Sequence, residues 1–297
     1  MKVLVTGANG FTGQHLVKSL VSKGFEVIAT SRNESKLPSY NNLTYYNCEL
    51  TDVRNVENLF DLTKPGAVIH TAAMSKPDEC AANPDLCTAN NITATQHLLD
   101  AATKVGTNHF VYLSTDFIFG ENGPHAEDDI PSPLNLYGAS KLEAEALVNA
   151  ASIKTTIVRP VFMYGPVWEN LRPSFIQWVA GKLQKAEPIK VVTDQARTPT
   201  YIGDLCWGIQ KIIQDQVTGV FHLAGKDIVS PYDMAVAVAK HLNLPLGLIE
   251  PVTASTFPEP VKRAQRSGLK IDKAVTKLGY APHSFAAALQ KCFYEEN

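Results

Sequence analysis

The sequence carries almost no net charge, no long apolar run and no paired cysteines, and each absence excludes a class of protein. Lysine and arginine total 27 against 29 for aspartate and glutamate, a net charge of −2. A dedicated nucleic-acid binder would show a basic excess, so no nucleic-acid partner is expected. No apolar stretch approaches the roughly 20 residues of a membrane-spanning helix, and Met1–Thr6 runs straight into glycine, unlike a signal peptide. The five cysteines, Cys48, Cys80, Cys87, Cys206 and Cys292, are odd in number and form no CxxC. Scattered thiols of this kind read as reduced cytoplasmic residues, with no membrane partner and no disulfide framework. The eight histidines show no metal-ligand spacing, so no metal is expected.

What remains is a chain of 297 residues, 45% hydrophobic and 19% charged, enough for one large domain carrying a smaller lobe. Its first half alternates short β-rich runs, Lys2–Thr6, Phe25–Ser31, Thr44–Asn47, Ala67–Thr71 and His109–Ser114, with amphipathic stretches such as Gln14–Ser22 and Asn91–Val105. Near-continuous apolar strands separated by helices predict a doubly wound parallel sheet covered on both faces. A further strand, Thr155–Val158, runs into Arg159. From Pro166 onward proline becomes frequent and the pieces irregular. The expected division is a nucleotide-binding domain over 1–165, partly rejoined by 191–224, and a mainly substrate-binding lobe over 166–297.

Directly after the first run comes Gly7-Ala8-Asn9-Gly10-Phe11-Thr12-Gly13, opening into a helical pattern. Gly7 permits a tight turn, Gly10 lets backbone approach a pyrophosphate, and Gly13 allows close packing of helix on sheet. The helix N-terminus adds N–H donors and positive dipole. A glycine triplet alone is weak evidence, but at the first turn of a parallel α/β chain it points to a dinucleotide. The second strand ends Thr30-Ser31-Arg32-Asn33, without a carboxylate for a ribose diol. Ser31 and Arg32 instead suit the 2′-phosphate of NADP, by hydrogen bond and charge.

Among ten tyrosines only Tyr137 has a lysine four residues later, Lys141. Leu136–Val148 is rich in helix formers, so the two side chains share one face. A neighbouring ammonium is expected to lower a tyrosine pKa from about 10 toward neutrality. Some twenty residues earlier, Tyr112-Leu-Ser-Thr-Asp116 ends a buried strand in hydroxyls, at the edge where open α/β sheets hold ligands. Ser114 and Thr115 there stand where a hydroxyl can bind a substrate carbonyl.

Together these motifs resemble the extended short-chain dehydrogenase/reductases, as do Val68-Ile-His-Thr-Ala-Ala73, Asn91-Ile-Thr-Ala-Thr95 and Arg159-Pro-Val-Phe-Met-Tyr-Gly165. Ser114–Phe119, the segment Asp194-Gln-Ala-Arg-Thr-Pro-Thr200 with Asp204-Leu205, and the run from Arg263 to Lys273 narrow the resemblance to the dTDP-4-dehydrorhamnose reductases. The resemblance implies a Rossmann fold and a nucleotide-diphosphate-sugar substrate. It makes Thr115, Tyr137 and Lys141 catalytic. Asn9, Phe11 and Thr12 of the glycine turn, Glu49, Leu50, Ala72, Ala73, Asn91 and Val161 would flank the cofactor. Ser75, Asp116, Phe162 and Arg197 would meet the substrate. Arg197 replaces a glycine usual in these reductases, and Phe162 often stands as tryptophan, so the sugar is less defined than the reaction. Arg263 and Arg266 are further candidates for the diphosphate, and Trp168 for stacking on sugar or base.

Two competing activities share the fold. Lys76–Asp85 also resembles the regulatory subunit of methionine adenosyltransferase, a non-catalytic NADP binder. An epimerase with tightly held NAD is the other; a dehydratase is disfavoured because Phe117, not an acid, follows Asp116. By the same resemblance a homodimer is expected through the helices of Asn91–Val105 and Leu136–Ala150.

Overall fold

The computed structural model describes residues 1–168, 171, 173–257 and 260–293. Among the described residues are nine strands, β1 (Lys2–Thr6), β2 (Glu26–Ser31), β3 (Leu43–Asn47), β4 (Ala67–His70), β5 (His109–Leu113), β6 (Lys154–Arg159), β7 (Ile189–Val192), β8 (Gly219–His222) and β9 (Ile249–Val252). The helices in the first half are α1 (Phe11–Ser22), α2 (Val53–Thr63), α3 (Pro77–Ala82), α4 (Pro84–Thr88), α5 (Ala94–Lys104) and α6 (Leu136–Ala150). The second half adds α7 (Phe175–Gln184), α8 (Ile202–Asp215), α9 (Pro231–His241), α10 (Asp272–Leu278) and α11 (Phe285–Phe293). Among the described residues no helix is long and apolar enough to cross a membrane.

Seven strands form one parallel sheet in the order β3-β2-β1-β4-β5-β6-β8, a Rossmann-type arrangement. Alternation within each strand feeds two separate cores. Val3, Val5, Val27, Ala29, Ile69 and Val111 face α1 and α8, whereas Leu4, Ile28, Val68, Phe110 and Tyr112 face α2, α5 and α6. Both faces are therefore apolar, which is why these strands read as continuous hydrophobic runs. A third core gathers α7, α9, α11 and the two-stranded sheet β7-β9 into the smaller lobe. The chain rejoins the main sheet with α8 and β8, while β7 stays in the small sheet.

Between β1 and β4 the strand order reverses, and the crevice above their C-terminal ends is where such sheets take ligands. Gly24, at φ +80°, follows α1 in the left-handed conformation that ends many helices. The stretch from Asn91 is not one regular helix: a π turn over Ala89–Thr93 precedes α5. Such widened turns redirect side chains, and here Asn91 is turned inward to bond the backbone of Met74.

Candidate active site

A cleft of about 610 Å³ lies over the switch point, within the size range of cofactor and ligand pockets. Its walls include Gly7, Asn9, Gly10, Phe11, Thr12 and Gly13 at one side, Ser31, Arg32, Glu49 and Leu50 at one end, and Ala72, Ala73, Ser75, Tyr137 and Lys141 towards the other. Fifteen of the predicted residues thus converge, drawn from the ends of four parallel strands and from α6. Sequence reasoning missed Lys36, Asn90, Met163 and Ser174, which also line it.

The glycine turn fits a pyrophosphate. Gly7 has φ +67°, and a Cβ there would lie 2.8 Å from the Ala72 nitrogen of β4's end. A Cβ on Gly13 would lie 2.3 Å from the Gly7 carbonyl oxygen, whereas on Gly10 the nearest atom is that same oxygen at 3.2 Å. Gly13 is thus required by packing, and Gly10 keeps an open approach to the helix end. No side chain caps α1, so its N-terminal dipole faces the cleft. Further along, the Ser114 hydroxyl is buried, lines the cleft and has no hydrogen-bond partner, a group that a bound ligand would satisfy. These features suit a dinucleotide.

At the other end stand Tyr137 and Lys141, two of the three side chains expected to react. Tyr137 and Lys141 occupy successive turns of α6, whose start is set by Asn135 accepting from the Gly138 N–H at 3.0 Å. Gly138 is needed there because a Cβ would lie 2.1 Å from the Phe117 carbonyl oxygen. Lys141 donates to the Leu113 carbonyl oxygen at 2.8 Å and sits 4.0 Å from the centre of the Tyr112 ring. Burial lowers its pKa to about 7, with the Glu145 carboxylate opposing the shift. For Tyr137, the expected lowering is not found. Burial is the largest influence and drives its phenol above the ordinary value, with Asp116 adding to the rise and the adjacent Thr115 hydroxyl opposing it. The ammonium that was to stabilise a phenolate is taken up instead by the end of β5.

Thr115 does not line the main cleft but continues from Tyr137 into a second strip of residues. Its hydroxyl lies 3.3 Å from Asp116 Oδ1 and accepts from the Phe117 N–H. Burial raises the Asp116 pKa, and Arg197 and Ser267 oppose that rise. Arg197 reaches Gln195 Oε1 at 2.6 Å and lies 5.4 Å from the Phe162 ring. Asp116, Phe162 and Arg197 therefore share one wall beside Tyr137. Phe162 adopts φ +31°, a strained value for a bulky residue, and its ring meets Phe175 edge-on.

Three of the predicted residues do not line the cleft. Asn91 lies beneath the cleft, holding both backbone groups of Met74 and the Ser140 hydroxyl, while Asn90 lines it. Val161 is buried against Ile118, Phe119 and Leu269, and Met163 takes its place in the wall. Trp168 stacks on His15 with ring centres 4.2 Å apart, and Lys18 lies 5.6 Å from its centre, so both its surroundings are aromatic or cationic protein groups. Of the other arginines, Arg263 pairs with Asp78 at 2.6 Å and Arg266 Nε donates to the Gly123 carbonyl at 3.3 Å.

The profile of a family described as "RmlD substrate binding domain" matches residues 1–297. A probable low-salt glycan biosynthesis reductase of Haloferax volcanii is 31% identical over 99% of this chain and 98% of its own. The methionine adenosyltransferase 2 subunit beta of Rattus norvegicus is 30% identical over 89% of this chain and 78% of its own. Among solved structures, a Bacillus anthracis dTDP-4-dehydrorhamnose reductase in complex with NADP superposes with a TM-score of 0.86 at 26% identity, covering 98% of each chain.

Proposed function

Because the chain belongs to the RmlD substrate binding domain family, we propose that it reduces the 4-keto group of a nucleotide-diphosphate-linked deoxysugar with NADPH. The observation that carries this reading is the pairing of Tyr137 and Lys141 at one end of the cleft, with Thr115 adjoining Tyr137 beside the Asp116–Arg197 wall. Support for NADP comes from Arg32 at the end of β2 and from the NADP bound in the similar Bacillus anthracis reductase.

A bound reduced nicotinamide supplies the hydride. Thr115 donates its proton to the carbonyl oxygen, polarising it. Tyr137 protonates the alkoxide as it forms; its raised pKa keeps the phenol protonated at neutral pH, as an acid catalyst requires. Lys141, lining the cleft one turn from Tyr137, would hold the nicotinamide ribose. Arg197 binds the diphosphate through its guanidinium, and its aromatic neighbour Phe162 closes the sugar pocket.

The test follows NADPH absorbance with purified protein and dTDP-4-keto-6-deoxysugars, beside Tyr137→Phe. Oxidation that the substitution abolishes supports the reading. The 30% match to a methionine adenosyltransferase subunit beta favours one other reading, a regulatory subunit. NADPH binding without turnover on any nucleotide ketosugar would move the assignment there.

A further inference from the structure

The histidine of the Val68–Ala73 motif takes no part in the chemistry above, yet it lies between the two halves of the site. Thr6 ends β1, His70 ends β4, Thr95 and Ser140 belong to α5 and α6, and Asn91 lies in the π turn between α4 and α5. None of these five is more than 2% exposed, so their protons go to protein groups and not to solvent.

Counting protons fixes the direction of each bond. The Thr95 hydroxyl lies 2.7 Å from the Asn91 carbonyl oxygen, which can only accept, so its single proton is spent there. Towards His70 Nε2, 3.0 Å away, Thr95 then accepts, and Nε2 carries the ring proton. Burial, aided by the Lys141 ammonium, keeps His70 neutral, with its pKa lowered to about 3. Its Nδ1 is therefore a bare acceptor and takes the Thr6 proton at 2.8 Å. The Thr6 oxygen in turn accepts the N–H of Ala72, in the wall of the cleft, at 3.3 Å. At the far end the Asn91 amide is oriented by the Met74 N–H at 2.7 Å and donates to Ser140 Oγ at 2.9 Å. The Ser140 proton goes to the Tyr137 carbonyl oxygen at 2.8 Å.

We propose that His70, with its proton on Nε2, is a positioning residue: the central link of a one-way hydrogen-bond chain that sets the cleft wall at Ala72 against the helix of Tyr137. The inference rests on the reductase reading above and adds a residue that touches neither substrate nor cofactor. Joining β1 to α5 here takes a side chain that donates at one edge and accepts at the other, as a neutral imidazole does. Breaking a link leaves a buried polar group without a partner. The tyrosine then shifts relative to the cleft wall, which slows the reaction without weakening the hold on the sugar.

The experiment compares wild type with Thr6→Val, Thr95→Val, both together, and Thr95→Ser, which keeps the hydroxyl. Steady-state kinetics are run at saturating NADPH with the dTDP-4-keto-6-deoxysugars. Each valine variant is expected to lose kcat by about 10-fold or more, with the sugar KM near wild type. The double variant is no slower than the slower single one, because a broken chain has nothing more to lose. Thr95→Ser recovers most of the loss. Nitrogen NMR of the cofactor-free, isotope-labelled protein reads the ring directly and is expected to find the His70 proton on Nε2. A proton on Nδ1, losses that multiply in the double variant, or an unchanged kcat in either single one would overturn the inference. If wild type binds NADPH but oxidises none, the reductase reading fails; the same pattern, without multiplication, is then required of NADPH affinity.

Discussion

Glu145 grips Arg159 with both carboxylate oxygens, at 2.9 and 2.6 Å, and neither side chain is more than 6% exposed. The pair joins α6 to the end of β6, one helical turn beyond Lys141. Arg159 also donates to the Glu127 carbonyl at 3.2 Å and meets His222 at 3.3 Å. A buried ion pair contributes little net stability, but removing one partner strands the other. Here its placement links the reactive lysine to the strand from which the Phe162 wall begins.

Replacing Glu145 with glutamine removes the carboxylate that opposes the burial of Lys141. The ammonium then loses its proton at lower pH, and the basic limb of the kcat profile moves down with it. Arg159 is left uncompensated, at a cost of about 3–5 kcal/mol. A pH–rate profile of the variant checks this; an unmoved basic limb would separate Glu145 from the chemistry.

Two glycines of one turn are expected to fail differently. Gly13→Ala forces a Cβ to 2.3 Å from one backbone atom and 2.7 Å from another, so Tm and cofactor binding fall together. Gly10→Ala meets nothing nearer than 3.2 Å and has an ordinary φ of −79°. Its Tm stays near wild type while NADPH affinity drops by about 10-fold or more, because the methyl stands where backbone approaches pyrophosphate. Thermal unfolding and NADPH titration of both variants separate the two roles.

Arg197→Ala should raise the KM for the nucleotide sugar by about 10-fold, the loss of one charged phosphate contact, and leave NADPH affinity unchanged. Since Arg197 opposes the upward shift of Asp116, that carboxyl also protonates at higher pH in the variant. Steady-state kinetics at saturating NADPH provide the check, and an unchanged KM would remove Arg197 from the substrate wall.

Acid should destabilise the protein from about pH 6.5 downward. Burial, the largest cause in each case, holds His15 and His109 to about 4 and His70 and His222 to about 3. Unfolded histidines take up protons near 6.5, so between 6.5 and 4 the unfolded chain binds more protons and stability falls as pH falls. Asp116, raised by burial, works the other way, but it is one group against four. His70 bridges Thr6 at 2.8 Å and Thr95 at 3.0 Å. His70→Gln should lower Tm at pH 7 and flatten its decline towards pH 4, measured by calorimetry across that range.

Patterns confined to one turn or one strand were legible in the sequence. The glycine run, Tyr137 with Lys141, and the alternating strands are set by spacings of two to four residues, and local geometry turns such spacings into shared faces. The hydroxyls ending β5 were legible for the same reason, since strand ends in a parallel sheet open onto the ligand crevice.

Other features arise only when distant segments meet. Arg197 reaches Asp116 and Phe162 because the returning chain lays 196–200 beside the ends of β5 and β6. Trp168 could stack on a sugar or on protein, and the apposition of α1, carrying His15, decided for protein. The tyrosine pKa rises where the spacing predicts a fall, because a helical spacing gives proximity to a lysine but neither the depth of burial nor the carbonyl that claims the ammonium. Lys36, on an exposed loop, carried no periodic signal. Sequence by itself determined the doubly wound sheet, the glycine turn and the Tyr137–Lys141 pair, all products of short-range geometry. Tertiary structure decided the Asp116–Phe162–Arg197 wall, the hydrogen-bond partners and the protonation states, because these depend on which surfaces fold against one another and how much water they exclude.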